Sequence, residues 1–393
     1  MSDTNRVDLR LKEETTAGTL ASGAYEACPY TAASDLGLTP EYITSAEIRA
    51  DRQVSERKLV SQSVGGGFDF ELQTDGGADA FPIDILLKGA LQTDSVSTPT
   101  GEGAWDTVND LAGNGSTFSG TGLSSIVAGG ESAVIVVENT TSGTGDGVYF
   151  VANGGASWAI AGTPTFTATG TTRVMALKTF ANGVTPQTIS IEKAYTDHTT
   201  PLYEYLSGMN VDTLSLTFGS KAIVTGSVGF VGTGHEYTTS RSASSGSATT
   251  SEGVFSSTNF GAIREGASSF GAGGVNFVTE LSVDISNNLR ERAALGSAAP
   301  VSIGTGQFNV SGSIKSYFDN KTQAEKVLNS TTTFSLGWHV DNGSSIVAVV
   351  VPNVKFTQGN PSVSGANDDV MLDLNWEAAG TTNGTIQIGV CNY

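Results

Sequence analysis

Residues able to do chemistry are few in this sequence, and their spacing does not assemble them. The three histidines, His198, His235 and His339, lie far apart in dissimilar contexts. No HExxH or paired-histidine spacing occurs, so a zinc site is not expected and each histidine reads as a surface or turn residue. Cys28 and Cys391, the two cysteines, stand near opposite ends and make neither a disulfide framework nor a metal cluster. Cys28 has no basic neighbour to lower its pKa, and no GxSxG occurs. The glycines at 143, 145 and 147 follow one strand-like run and precede another, so they read as a turn rather than a phosphate cradle. Asp341-Asn342-Gly343 and Asn367-Asp368-Asp369 lack the spaced oxygen ligands of a calcium loop and also read as turns. Carboxylates are plentiful, but no loop gathers acids and aromatics into a sugar cleft. The expectation is a protein that is not an enzyme and carries no metal or cofactor.

The acids matter collectively instead. Thirty-nine acidic against 20 basic residues give a formal charge of −19. Such a chain should repel nucleic acid, because tight binding requires phosphates to be neutralised. Some acids are placed by period-two alternation: Phe68, Phe70 and Leu72 interleave with Asp69, Glu71 and Gln73, giving one apolar and one polar face.

The elements that must position them are mostly strands. Charged residues make up only 15% of the chain and glycines number 49, a mix that disfavours long amphipathic helices and suits short strands with glycine turns. Residues 1–40 read as irregular and Glu41–Arg52 as a possible helical turn. Gln53–Ser63 is strand-like, and Gly65-Gly66-Gly67 reads as the turn of a hairpin carrying Phe68–Leu72. Ala80–Leu91 is the better helix, with Pro82 near its start. From about residue 93 to 185 the chain turns rich in Gly, Ser and Thr, with five short apolar strands, which predicts a small inserted β domain. Strands follow at Gln187–Lys193, Met209–Phe218 and Lys221–Val231, where Gly226 and Gly229 suggest a bulge or close backbone approach. Residues 232–274 read as one long low-complexity loop with Phe255, Phe260 and Phe270 as anchors. Beyond it come strands at Asn276–Asp284, Gln307–Tyr317, Phe334–Val340, Ser345–Val351, Asn353–Thr357 and Asp369–Trp376. A helix at Lys321–Leu328, capped by Asp319, lies among them. No run of 18 apolar residues predicts a membrane span, and Met1–Thr16 lacks a signal-peptide core, so synthesis in the cytoplasm is expected.

Several blocks in order resemble one family, the tail tube (major tail) proteins of long-tailed bacteriophages. They are Ile43–Leu72 with Asp84–Leu91; Gln187–Gly232 with Tyr195-Thr196-Asp197; Phe277–Asn288 through Leu289–Gly296 to Phe308–Ser313 and Tyr317-Phe318-Asp319; and Val351–Phe356, Val363-Ser364-Gly365 and Leu372–Ala378. The resemblance implies an all-β fold with minor helix, a discontinuous β-sandwich of residues 1–92 and 186–393. Six subunits would join their inner sheets into a ring-shaped β-barrel, and stacked rings would make the tube through which DNA is ejected. Its expected partners are other copies of itself, tape-measure protein, and tail-terminator or baseplate proteins. DNA would pass without tight binding.

On that architecture the acids acquire a purpose. Screening reaches about 8 Å at physiological salt, so only acids facing the channel act on passing DNA. Asp69 and Glu71 from the hairpin and Asp369 and Asp373 from the last strand are the expected lumen-facing set. Residues 232–274 are expected to order on assembly, with the three phenylalanines landing on a neighbouring subunit, and residues 93–185 to sit outside the tube. The competing reading is a phage or bacterial adhesin or fibre protein, suggested by the Gly/Ser/Thr-rich β content.

Overall fold

The computed structural model describes residues 6–75, 82–138, 140, 145–161, 165–167, 172–242, 244–245, 251–261, 263–266, 268–270, 277–318, 321–328, 333–363, 365 and 368–393. The anticipated cap Asp319, and Gly143, Asn276 and Asn367, lie outside them. In chain order the main elements are β1 (Val7–Glu13), β2 (Ala24–Ala27), β3 (Ala32–Thr44), β4 (Arg57–Glu71) and α1 (Ile83–Leu91). Then come β5 (Ala133–Glu138), β6 (Gly147–Asn153), β7 (Ser157–Ala161), β8 (Arg173–Ala181), β9 (Ile189–Tyr195) and β10 (Leu202–Gly219). After these run β11 (Thr225–Gly232), β12 (Gly234–Thr238), β13 (Val278–Ser286), β14 (Asn309–Tyr317) and α2 (Lys321–Leu328). The chain finishes with β15 (Phe334–Asp341), β16 (Ser345–Ser362), β17 (Met371–Ala378) and β18 (Gln387–Asn392). The fold is all-β with minor helix.

Two sheets share β10. Its second half lies in the main sheet, ordered β3-β4-β11-β10-β13-β14-β17-β16 by antiparallel pairing. Its first half pairs with β9 and β12 in a smaller sheet that continues to β1 and β2. The change of sheet falls at Gly208, whose φ is +63°. The buried Glu14 carboxylate fixes that bend by accepting the Gly208 N–H and the Ser190 hydroxyl, each at 2.8 Å. Between the sheets lies one core that takes Leu9 and Leu11 from β1, Phe68 and Phe70 from β4, Leu214 and Leu216 from β10, and the apolar side of α1.

The helix forms where expected. Ile83, Leu86, Leu87, Ala90 and Leu91 are buried, and Asp84 and Lys88 stand at the ends that the helix dipole favours. Lys88 bonds Glu13 at 2.9 Å and Lys178 contacts Asp84, which ties α1 to both flanking segments.

Four readings of the sequence are corrected. Residues 1–40 are not irregular: Val7, Leu9 and Leu11 alternate with Asp8, Arg10 and Lys12, and this short pattern makes β1. Glu41–Thr44 ends β3 rather than starting a helical turn. The glycine triplet is no turn, because β4 runs straight through it. Gly66, at φ +112°, sits in a bulge against β3, where a Cβ would strike the Asp35 carbonyl. Pro352 likewise does not divide two strands. Pro352 and Asn353 together oppose Ser335 in a bulge, the place where a residue without an N–H costs least. The close approach anticipated at Gly226 is present, since a Cβ there would meet the Phe70 ring.

Residues 93–185 leave and return at one point: the Gly183 N–H donates to the Leu91 carbonyl at 2.8 Å and that of Thr185 to Gln92 at 2.9 Å. The segment has its own core around Phe118, Ile135, Tyr149 and Trp158. Its other face is not free. Val134, Val136, Met175 and Leu177 pack on Ile346, Ala348, Val350 and Cys391, and β8 pairs first with β5 and then with β18.

Candidate functional site: a polar sheet face between two apolar ends

Alternation, shifted by one residue at a few bulges, puts about every second residue of the main sheet on the face away from the core. Register turns these positions into rows that cross the strands. One row runs Asp69, Ser227, Ser215, Asp284, Ser311, Glu377, Lys355. The next runs Glu71, Thr225, Thr217, Ser282, Ser313, Asn375. A third joins Glu280, Lys315, Asp373 and Asn360. The residues between, such as Phe70, Val228, Leu216, Val283, Ile314 and Leu374, are buried. At about 4.8 Å per strand, seven strands make a polar surface roughly 30 Å wide. Its short hydroxyls bond within the sheet: Ser215 donates to Asp284, and the Ser282 and Ser313 hydroxyls lie 3.0 Å apart.

The structure therefore brings Asp69, Glu71 and Asp373 onto one face. It leaves Asp369 out of the rows: β17 begins only at Met371, so Asp369 is an exposed residue at the sheet's end, and the last strand is β18. Glu280, Asp284 and Glu377 join the face and were missed. The signal was available, because VTELSVDIS and MLDLNWEA alternate as clearly as FDFEL. Lys315 and Lys355 are the cations among the six carboxylates of these rows.

The two ends of this sheet differ from its face. At one end β3 and β4 continue past the sheet as a two-stranded arm, paired from Gly37–Gly65 to Thr44–Arg57 and closed by the Ser45 N–H to Glu56 carbonyl bond. Tyr42, Ile43, Ile48, Val54, Leu59 and Val60 are exposed on it, Ile48 to 99%. A second hairpin, Arg290–Arg292 with Ser302–Gly304, leaves at the same end with Leu295 and Val301 exposed. The Gln62 N–H donates to the Ala298 carbonyl and ties the two together. At the opposite end Ile223, Phe277, Tyr317, Phe318, Val363 and Val370 are exposed. Clustered exposed apolar side chains are the kind of surface through which proteins meet other molecules.

A buried cluster braces the base of the arm. Glu204 on β10 accepts from Lys193 at 3.0 Å and Tyr195 at 3.1 Å, with His235 Nε2 also at 3.0 Å. Lys193 donates onward to the Leu36 carbonyl of β3. Burial alone would push the Glu204 carboxyl up; the Lys193 charge and the bonds from His235, Lys193 and Tyr195 outweigh it and hold the group below the usual carboxylate range. On the other side of the small sheet, fully buried Glu192 takes Arg241 and the Tyr205 hydroxyl, the latter at 2.6 Å.

The segment 232–274 is pinned within its own chain. Phe255 is fully buried, its N–H on the Leu72 carbonyl at 3.0 Å, and Phe270 is buried with its N–H on Ile263. Both serve this subunit's core and are not available to land on a neighbour; Phe260 is half-buried, edge-on to Phe218 at 5.7 Å. Arg264, invisible as an anchor in the sequence, is buried beneath Gly147 and donates to the Asp146 carbonyl at 2.7 Å, while Glu265 holds Lys326 and Gln323 of α2. The segment thus clamps the 93–185 unit and α2 to the main sheet.

His198 is exposed in a turn, as expected, but the half-buried His235 turns its side chain inward beside Glu204, 3.0 Å away, and buried His339 lies 3.8 Å from Glu138. The sequence context of neither reveals its carboxylate, which comes from a distant strand. Among the described residues no three metal-ligating side chains gather. Cys28 and Cys391 are unlinked and buried, and burial pushes the Cys391 thiol up to about 12. No helix is long and apolar enough to cross a membrane among the described residues.

A family model described as phage tail tube protein matches residues 4–378. A search of curated proteins found no match.

Proposed function

The chain belongs to the phage tail tube protein family, a structural component of the virion, and from that premise we propose that its copies stack end to end as six-membered rings into a hollow conduit for DNA. The observation that carries this reading is the distribution of exposed apolar side chains. Most of them gather at the two opposite ends of one sheet, Val184, Tyr237, Leu328 and Tyr393 being the others, and they leave the face between those ends polar. Ends that differ from each other cannot pair isologously. A contact between them is head-to-tail, and where its rotation does not close on itself it builds an open filament along the strand direction. Among the described residues β3 pairs on one side only, and an open edge of this kind is the means by which neighbours within a ring would continue the sheet.

The acid-bearing rows are then the channel lining. Six carboxylates against two lysines leave a hydroxyl-rich wall with net negative charge, so duplex slides past without being held tightly. Residues 93–185 lie outside the tube in this arrangement. Tape-measure, tail-terminator and baseplate proteins are the partners that the channel and the tube ends would meet. Electron microscopy of the purified protein tests the reading: tubes or stacked six-fold rings support it, whereas a monomer that stays dispersed at high concentration overturns it.

A further inference from the structure

We propose that the tip of the arm in one copy seats in a particular cleft at the far end of the main sheet of a second copy; this rests on the end-to-end reading above and names the surface through which it acts. The cleft lies between the β10–β11 turn, the start of β13 and the 257–260 turn, and holds about 300 Å³. Buried Phe218 and Val224 and half-buried Phe260 and Val278 form its floor, and Lys221 and Glu280 stand exposed on its rim. At the lower bound of ligand pockets in size, and with no convergent set of polar groups inside, it suits one or two apolar side chains rather than a cofactor.

The occupant is identified by what the chain itself exposes. Ile48 is 99% and Val54 68% exposed, one on each side of the arm's tip. The tip is a fixed turn: the Arg52 N–H bonds the Arg49 carbonyl at 3.2 Å, Arg52 takes a φ of +60°, and Arg49 pairs with Asp51 at 2.7 Å. That internal pair leaves Glu47 and Arg52 to face the cleft's Lys221 and Glu280, so the charges of tip and rim are complementary. A chain cannot fill its own cleft. The arm leaves the sheet near Val64, whereas the cleft lies past the Glu71–Thr225 end, about 25 Å away at 3.4 Å per residue and in the opposite direction. Seating is therefore intermolecular. Phe260 keeps a role in assembly on this account, as part of the receiving floor of its own subunit.

The test uses the full chain. Ile48→Asp should raise the concentration needed for polymerisation about tenfold or more while leaving monomer unfolding unchanged. Chains carrying Ile48→Cys and, separately, Ser257→Cys should form a disulfide-linked dimer when mixed and oxidised, and neither should do so alone. A chain carrying both should give a ladder of linked copies. Buried Cys28 and Cys391 provide the background, which the unsubstituted chain measures. If the unsubstituted chain forms tubes but the mixed cysteine chains do not link, the cleft is not the seat and this inference falls while the tube reading stands. If Ile48→Asp polymerises normally, the arm's tip is not the contact. If the unsubstituted chain forms no polymer, the failure belongs to the tube reading itself.

Discussion

The arm and the 232–274 segment are two excursions from the main sheet that reverse what their compositions suggest. The arm is paired strand up to Thr44 and Arg57, with β-branched and aromatic side chains, yet those side chains and Ile48 and Val54 of its tip are in water. The segment is rich in Gly and Ser, yet Phe255, Ile263, Arg264 and Phe270 are buried. A strand pair buries little when neither face meets a second layer, because hydrogen bonds alone do not remove side chains from solvent. A low-complexity stretch becomes structural when a few large side chains find pockets, and the glycines between let it follow the surface. Exposed apolar surface in the arm is thus an opening for another copy, whereas the segment is part of the subunit's own fold.

Removing residues 240–268 gives the sharpest test of that contrast. The deletion takes out Phe255, Ile263 and Arg264 together and should abolish the folded monomer, not merely its polymerisation; a cooperative native-like melt in the deleted chain would break the comparison. Phe255→Ala alone should cost about 3–5 kcal/mol in denaturant unfolding, the usual result of hollowing a core at an aromatic. Arg264→Met should cost about 1–3 kcal/mol, since the Asp146 carbonyl loses its buried donor, and calorimetry should show the loss in the unit that holds Tyr149. Val54→Ser on the arm should change monomer stability by no more than about 0.5 kcal/mol while still weakening polymerisation, because its side chain is already in water.

Two charge predictions are smaller or act elsewhere. Glu204 is held below the ordinary carboxylate range in the folded chain, so its cluster stabilises above the ordinary glutamate pKa and loses that contribution as pH falls through the depressed folded value. Glu204→Gln should flatten acid unfolding in that window, and an unchanged acid limb would show that the brace at the arm's base does not depend on charge. Reversing Asp69, Glu71 and Asp373 to Lys should leave monomer stability nearly unchanged, as these side chains stand on the solvent face, and should slow DNA passage through assembled tubes. Ejection at the normal rate would remove the lining role from these rows.

Much of the fold was legible in the residue pattern. Alternation located the strands of the main sheet and put Asp69 and Glu71 on one side of β4, and helical spacing with Pro82 located α1. The errors fell where a local signal has two meanings. Glycines in a row can turn a chain or bulge a strand, and only the Asp35 backbone pressed on Gly66 decides between them. A proline can end a strand or sit at its bulge. His235 and His339 carry no local mark of burial, because their carboxylates arrive from other strands.

Composition and period-two spacing by themselves determined an acidic all-β chain, because side-chain alternation and net charge are properties of short stretches. The tertiary structure decided which acids share a face, which phenylalanines are core, and which apolar residues remain uncovered at the two ends. Those outcomes depend on register between strands distant in sequence and on what lies across from each face, and no short stretch encodes either.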